Sequence, residues 1–100
     1  MVTGYGPIGN VLWKWYTTEY YDVYGGLVYH TDTWTAQETY WGWSYLGSNY
    51  SYSGQYSTMY RSTSTGYFSG PNGQSKYGRI NFTIYGSNGH CDVSGSSGDW

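Results

Sequence analysis

A chain of 100 residues has room for one domain, which must build its core from 23 aromatic side chains because Leu, Ile and Val are scarce. The formal net charge is −2, and four scattered Lys and Arg residues are too few for the phosphate contacts of nucleic-acid binding. No apolar run reaches the roughly 20 residues of a membrane span. A single Ala among few helix formers excludes a helical domain and leaves an all-β fold.

The first predicted strands form a hairpin. Apolar and polar residues alternate over 11–24, which predicts a strand with a bulge or break near Thr17-Thr18 because of its length. The Gly25-Gly26 pair predicts a turn into a second strand over 27–35.

Aromatic alternation dominates the middle of the chain. A strand over 38–46 aligns Thr39, Trp41, Trp43 and Tyr45 on one face. After a turn at Gly47-Ser48-Asn49, the run 49–61 carries tyrosines on one face and polar residues on the other. This run has no charge before Arg61 and no proline, so nothing in it blocks pairing with another copy if it lies at a sheet edge.

The end of the chain predicts three shorter strands. A strand over 63–69 precedes the turn Gly70-Pro71-Asn72-Gly73. Residues 79–85 then place Ile80, Phe82 and Ile84 on one face. A last short strand over 90–94 is expected before a Gly-Ser tail at 95–98.

Six or seven strands with short connections predict a small antiparallel β-sandwich or barrel of jelly-roll or immunoglobulin-like size. We expect one β-rich domain over 1–100, with 1–10 and 95–100 as Gly/Ser-rich terminal segments. The alternating apolar sets predict the core, which comprises Trp13, Trp15, Trp41, Trp43, Ile80, Phe82 and Ile84.

Two short strings bear on catalysis. Glu19-Tyr20-Tyr21 and Gly66-Tyr67-Phe68-Ser69-Gly70 resemble the segments around the two catalytic glutamates of the small jelly-roll xylanases. Glycoside hydrolysis needs two carboxylates at one cleft. Where that family carries the second Glu, this chain has Thr65, which cannot protonate a leaving group. We therefore expect no enzymatic activity, and a minimal glycoside hydrolase is the one enzymatic alternative.

His30-Thr31-Asp32 and His90-Cys91-Asp92 are the remaining constellations. Residues two apart on a strand share a face, so each His is expected beside its Asp. Neighbouring strands would bring the two pairs around a metal ion, but surface His–Asp pairs are the plainer interpretation, with no metal and no cofactor. Cys91 is expected to be a small buried side chain; it cannot form an internal disulfide, and a pairing with another chain stays open.

Function is expected to reside in exposed aromatic side chains. Of two neighbours on a strand, such as Tyr20 and Tyr21, one must face outward. Outward rings bind sugars by stacking or form protein contacts. The candidate ligand-binding residues are Tyr20, Tyr21, Trp34, Tyr40 and Tyr67.

These features favour a small non-catalytic carbohydrate-binding or surface-recognition module, with polysaccharide or self-association as its partner. The alternative is a self-assembling subunit of an extracellular layer or filament, and a secreted bacteriocin-like protein is a further possibility. Gly, Ser, Thr and Asn make up 45 residues, a bias typical of secreted β-proteins, so the expected location is extracellular. No signal peptide is recognisable, and the expectation is that Met1 starts a chain whose leader has been removed.

Overall fold

The structure, a computed structural model, describes residues 1–100 and contains seven strands. They are β1 (Val2–Tyr5), β2 (Val11–Tyr24), β3 (Leu27–Thr39), β4 (Ser44–Ser53), β5 (Met59–Ser69), β6 (Ser75–Tyr85) and β7 (Cys91–Asp99). Strands β1-β2-β3 form sheet A and β4-β5-β6-β7 form sheet B, each antiparallel throughout. The two sheets form a small β-sandwich, which confirms the predicted fold class. No helix is long and apolar enough to cross a membrane.

The β2–β3 hairpin matches the sequence prediction closely. Strand β2 has the predicted bounds, and Gly25 and Gly26 adopt the positive φ values of 60° and 77° that the tight turn requires. The bulge, however, is not near Thr17-Thr18. It lies on β3, where Tyr20 pairs with Asp32 but Tyr21 pairs with His30, so the intervening residue has no partner.

The predicted strand over 38–46 is wrong, because the chain turns within it. Trp41 and Gly42 have φ values of 57° and 77°, in the left-handed region that ends a strand. The turn carries the chain from sheet A to sheet B. Trp41 is 71 % exposed there instead of lying in the core, whereas Trp43 is buried.

The predicted turn at Gly47-Ser48-Asn49 is wrong, because β4 continues through these residues and pairs with β5. The predicted strand over 49–61 is instead two strands joined by a later turn. Strand β4 ends at Ser53, and Gly54 and Tyr56 have φ values of 90° and 61°. A Cβ on Gly54 would lie 2.0 Å from the carbonyl oxygen of Met59, so only glycine fits this turn. The predicted tyrosine ladder is thus a hairpin, with β4 at the edge of sheet B and β5 inside it.

This turn also closes one end of the sandwich. The backbone N–H of Val28 donates to the carbonyl of Ser57 over 2.8 Å, and that of Tyr56 donates to the carbonyl of Val28 over 3.0 Å. The Gln55 side chain bonds both the N–H and the carbonyl of His30. The turn thereby covers the edge of sheet A at the start of β3.

Both ends of the chain lie in strands. Strand β1 pairs with β2 within the predicted terminal segment 1–10. Strand β7 pairs with β6 from Cys91 to Asp99, so the predicted tail at 95–98 continues the strand. β7 is an edge strand whose residues are mostly exposed, so its Gly and Ser residues need not fill a core.

Tryptophans of sheet A fill the core by packing onto glycines of sheet B. Gly66 and Gly78 pair across β5 and β6, with Trp15 over the first and Trp13 over the second. The Trp13 ring stacks on Phe68 with centroids 4.6 Å apart. The predicted core residues other than Trp41 are all buried: Trp13, Trp15, Trp43, Ile80, Phe82 and Ile84.

Candidate functional site

The outer face of sheet A carries a line of aromatic side chains along the β2–β3 hairpin. Residues paired across antiparallel strands point to the same face, so the register fixes which side chains are neighbours. The outward pairs are Tyr16 with Ala36, Thr18 with Trp34, Tyr20 with Asp32, Asp22 with Tyr29, and Tyr24 with Leu27. Each pair contains one aromatic ring, and the rings alternate between the two strands. The set Tyr16, Trp34, Tyr20, Tyr29 and Tyr24 is named the aromatic row.

The aromatic row is open to solvent. Tyr24 is 79 % exposed, Trp34 56 % and Tyr20 52 %, while Tyr16 and Tyr29 are half-buried. Successive residues on one face of a strand are about 7 Å apart, so the row extends for about 27 Å. This is roughly half of the 51 Å length of the molecule. A line of exposed aromatic rings on one face is typical of an interaction site.

Acidic side chains flank the aromatic row. Asp22 and Asp32 face outward beside Tyr29 and Tyr20, and neither carboxylate forms an ion pair. Asp32 accepts a hydrogen bond of 2.8 Å from the backbone N–H of Thr33. The central part of the row therefore presents hydrogen-bond acceptors and no free cation.

At one end of the aromatic row, Lys14, Tyr16 and Tyr40 all contact the Glu38 carboxylate. Lys14 and Glu38 form an ion pair of 3.9 Å. The hydroxyl of Tyr40 donates to Glu38 Oε2 over 2.7 Å, and the hydroxyl of Tyr16 donates to the same oxygen over 3.4 Å. The hydrogen bond to the Glu38 carboxylate raises the pKa of Tyr40.

The five candidate residues from the sequence lie on three surfaces. Tyr20 and Trp34 belong to the aromatic row, and Tyr40 lies at its Glu38 end. Tyr67 lies on the outer face of sheet B. Tyr21 faces the interior, where its hydroxyl donates to the carbonyl of Gly89 over 3.0 Å and burial raises its pKa.

Sequence reasoning missed the other members of the aromatic row. Tyr16 and Tyr24 share the even positions of β2 with Tyr20, so the alternation alone could have identified them. Tyr29 could not have been found this way. The bulge on β3 reverses the alternation, so the odd-numbered Tyr29 shares a face with the even-numbered Trp34.

A second polar group, the Glu19 cluster, lies between the sheets and comprises Glu19, His30, Thr33, Tyr50, Tyr60 and Ser62. The Glu19 side chain is only 1 % exposed. Its Oε2 lies 2.5 Å from His30 Nε2 and accepts hydrogen bonds from Thr33 Oγ1 at 3.0 Å and the Tyr50 hydroxyl at 3.1 Å. Its Oε1 accepts from Ser62 Oγ at 3.2 Å. Both carboxylate oxygens are thus satisfied inside the protein.

Two tyrosines extend the Glu19 cluster into the core. Because the Tyr50 hydroxyl donates to Glu19, its oxygen accepts from the Tyr60 hydroxyl 2.8 Å away. The fully buried Tyr60 ring stacks on His30 with centroids 4.8 Å apart and planes within 9°. Burial raises the pKa of Tyr60, and the hydrogen bond with Tyr50 raises it further; burial also raises the pKa of Tyr50.

The Glu19 cluster lacks the geometry of a nucleophilic triad. Thr33 Oγ1 lies 2.8 Å from His30 Nε2, the same nitrogen that contacts Glu19. A triad histidine uses one ring nitrogen for the nucleophile and the other for the acid. With a buried carboxylate and this shared contact, the cluster holds the two sheets together.

The two xylanase-like strings do not meet in one cleft. Glu19 faces the interior between the sheets, whereas Thr65 faces outward on β5, where its hydroxyl accepts a 3.2 Å hydrogen bond from Arg79 Nε. A carboxylate at position 65 would therefore face away from Glu19, on the opposite side of sheet B.

The two His–Asp pairs differ from each other. His90 Nε2 lies 2.7 Å from Asp92 Oδ1 at the surface, as predicted. The expected pairing of His30 with Asp32 is wrong, because the bulge turns His30 inward and Asp32 outward. Cys91 is half-buried, where a small buried side chain was expected, and it packs against buried residues of the core such as Phe82 and Ile84.

No family model, curated protein or solved structure matches this chain. The aromatic row with its flanking carboxylates is a candidate ligand-binding surface. Flat, exposed rings can stack against an extended ligand, and the adjacent Asp and Thr oxygens can accept hydrogen bonds from it.

Proposed function

We propose that this protein is a non-catalytic extracellular module that binds neutral polysaccharide along the aromatic row. The observation that carries the proposal is the row itself, in which five rings on successive strand pairs are directed to solvent over about 27 Å. A glycan chain is an extended ligand that fits a long open surface better than a closed pocket.

The chemistry of the row matches a neutral sugar. The C–H groups of a pyranose carry slight positive charge and pack on the negative face of an aromatic ring. Asp22, Asp32 and Thr18 lie between the rings, where their oxygens bond sugar hydroxyls. The two unpaired carboxylates repel an acidic polymer, so the preferred ligand carries no charge.

The non-catalytic part of the proposal is supported by Glu19. Its carboxylate is 1 % exposed and already bonded to four side chains, which leaves no oxygen for a substrate. The aromatic row has two carboxylates, Asp22 and Asp32, but both side chains are exposed to solvent and not held in a water-excluding site.

The test measures binding of neutral xylan, cellulose and chitin oligomers by titration calorimetry. Trp34→Ala and Tyr20→Ala should each weaken the binding about tenfold, because each removes one stacking ring. Trp41→Ala is the matched control, since Trp41 is exposed but lies in the turn between the sheets, outside the row. Equal losses in Trp41→Ala and Trp34→Ala, or no binding by the wild type, would contradict the proposal.

A second candidate function is self-assembly through β4. This strand lies at the edge of sheet B and contains no charged residue and no proline, so its free backbone groups can pair with another copy. Ser48 is exposed within β4. If assembly is the function, the wild type should form oligomers that grow with concentration in light scattering, and Ser48→Lys should keep the chain monomeric. A wild type that is monomeric at every concentration would exclude this candidate.

A further inference from the structure

The outer face of sheet B is chemically unlike that of sheet A. Its rows across the four strands are Gly47, Tyr67, Tyr77 and Gly98; Asn49, Thr65, Arg79 and Ser96; Ser51, Thr63, Asn81 and Ser94; and Ser53, Arg61, Thr83 and Asp92. Hydroxyl and amide groups dominate these rows. The two cations lie on the central strands and the one carboxylate lies at the corner.

Arg79 is held in place without being neutralised. Its Nε donates to Thr65 Oγ1 over 3.2 Å, and its guanidinium carbon lies 4.8 Å from the centroid of the Tyr77 ring. These contacts fix the planar group on the sheet. Both lysines of the chain form ion pairs, with Glu38 and with Asp99, but neither arginine does. The terminal N–H groups of Arg79 are thus free to donate to a ligand.

A groove of about 380 Å³ lies beside Arg79. Its walls include Asn49, Ser51, Asn81 and Tyr67. Thr63 also lines the groove, and its hydroxyl donates to Asn81 Oδ1 over 2.7 Å. This hydrogen bond orients the Asn81 amide and leaves its NH₂ group without a partner in the protein. The side chains of Asn49 and Ser51 have no partner in the protein. The groove therefore combines one free cation with several unused neutral hydrogen-bonding groups.

We propose that this groove binds an acidic oligosaccharide, with the carboxylate of a uronic acid unit on the guanidinium of Arg79. A guanidinium bonds a carboxylate through two parallel N–H groups, and it does so more strongly than it bonds a neutral oxygen. The Asn and Ser side chains then bond the sugar hydroxyls, and the Tyr67 ring contacts the sugar face. This site stands apart from the aromatic row, on the opposite side of the sandwich.

The charges on the two faces favour a neutral ligand on sheet A and an acidic ligand on sheet B. Asp22 and Asp32 on sheet A disfavour an acidic polymer, whereas Arg79 in the groove on sheet B attracts one. An acidic peptide also carries carboxylates that would satisfy Arg79, so polyglutamate is included in the test. Carboxylate and hydroxyls occur together on a uronic acid.

The test compares three ligands by titration calorimetry: oligogalacturonate, its methyl ester and polyglutamate. Oligogalacturonate should bind, with an affinity that falls as salt rises, because Arg79 is partly open to solvent. The methyl ester keeps the sugar but has no charge, and polyglutamate keeps the charge but has no sugar. Polyglutamate should bind about tenfold more weakly or not at all, and so should the methyl ester once Tyr20→Ala/Trp34→Ala has removed the aromatic row, the separate site for neutral glycans.

Variants of the two arginines locate the site. Arg79→Gln should weaken oligogalacturonate binding about tenfold or more, and Arg79→Lys should give a partial loss because the charge remains without the planar fork. Arg61→Gln is the matched control on the same face and should stay within about threefold of the wild type. The melting temperature of Arg79→Gln shows whether this variant is folded. If it is not, the partial loss in Arg79→Lys still tests the role of the guanidinium.

The inference is overturned if oligogalacturonate does not bind, if polyglutamate binds equally well, if the methyl ester binds equally well to the Tyr20→Ala/Trp34→Ala variant, or if Arg61→Gln loses as much affinity as Arg79→Gln. The double variant Tyr20→Ala/Trp34→Ala separates this site from the aromatic row. It should lose neutral polysaccharide and keep oligogalacturonate, so each site can fail without the other.

Discussion

At the scale of single residues, Glu19 shows how a largely aromatic core tolerates a carboxylate. Four side chains contact its two oxygens, and removing the carboxylate would leave several buried donors without an acceptor. We predict that Glu19→Ala lowers the free energy of unfolding by about 2–4 kcal/mol, measured by urea denaturation.

Glu38 is the matched control, since it is the other glutamate of the chain and its side chain is 46 % exposed. Glu38→Ala should cost less than about 1 kcal/mol, because surface ion pairs contribute little. Equal costs for the two alanine variants would show that the Glu19 cluster does not stabilise the fold.

The buried tyrosines of the same cluster predict loss of stability at alkaline pH. Tyr60 and Tyr50 have pKa values raised above the ordinary 10.0 by burial, so the unfolded chain releases these protons first. Stability from this source is complete below about pH 10 and falls as the pH rises above it. Tyr60→Phe should be less stable at neutral pH but should lose less stability between neutral and alkaline pH, as measured by urea denaturation across that range. An unchanged slope in Tyr60→Phe would contradict the assignment.

The sequence predicted only part of the candidate site, for a local reason. Alternation shows that Tyr20 and Tyr21 face opposite ways but does not say which one faces solvent. In the structure the odd positions of β2 face inward, because the Glu19 side chain is buried and Tyr21 and Val23 pack against the core. On β3, the bulge at Thr31 breaks the alternation, and no residue type at this position predicts a bulge from the sequence.

At the scale of elements, the Gly66–Gly78 pair determines how closely the two sheets approach. A Cβ on Gly66 would lie 2.5 Å from the Trp15 ring, and one on Gly78 would lie 2.7 Å from the Trp13 ring. We predict that Gly66→Ala lowers the free energy of unfolding by about 1–3 kcal/mol through overpacking. In a Trp15→Phe background the added cost of Gly66→Ala should shrink, because the smaller ring leaves room for the methyl group. Thermal denaturation of the wild type, the two single variants and the double variant measures the cost of Gly66→Ala in each background. An equal cost of Gly66→Ala in both backgrounds would show that the destabilisation does not come from contact with the Trp15 ring.

The strand ends that the sequence predicted well are those beside small turn residues, namely the end of β2 at Tyr24, the start of β3 at Leu27 and the end of β5 at Ser69. Gly25-Gly26 and Gly70-Pro71-Asn72-Gly73 both lie in turns. The two turns that it missed contain Trp41 and Tyr56 in left-handed conformations, which large aromatic residues rarely adopt. In each case the alternation of aromatic residues continued across the turn, so periodicity indicated one strand where tertiary packing makes two.

At the scale of the whole molecule, the sandwich separates two kinds of surface. Sheet A presents aromatic rings with carboxylates, and sheet B presents hydroxyls and amides with arginines. The core between them is aromatic at one end and contains the Glu19 cluster nearer the other. If sheet A binds neutral glycans and sheet B binds acidic glycans, one domain would crosslink the two kinds of polysaccharide.

The most direct test of the aromatic row is a map of backbone and indole N–H chemical shifts during titration with a neutral hexasaccharide. The proposal predicts shifts in the indole N–H of Trp34 and in backbone groups of β2 and β3 from Tyr16 to Tyr24 and from Tyr29 to Trp34. The buried indoles of Trp13 and Trp15 and the strands β6 and β7 should not change. Shifts confined to sheet B, or to the turn at Trp41, would contradict the central claim.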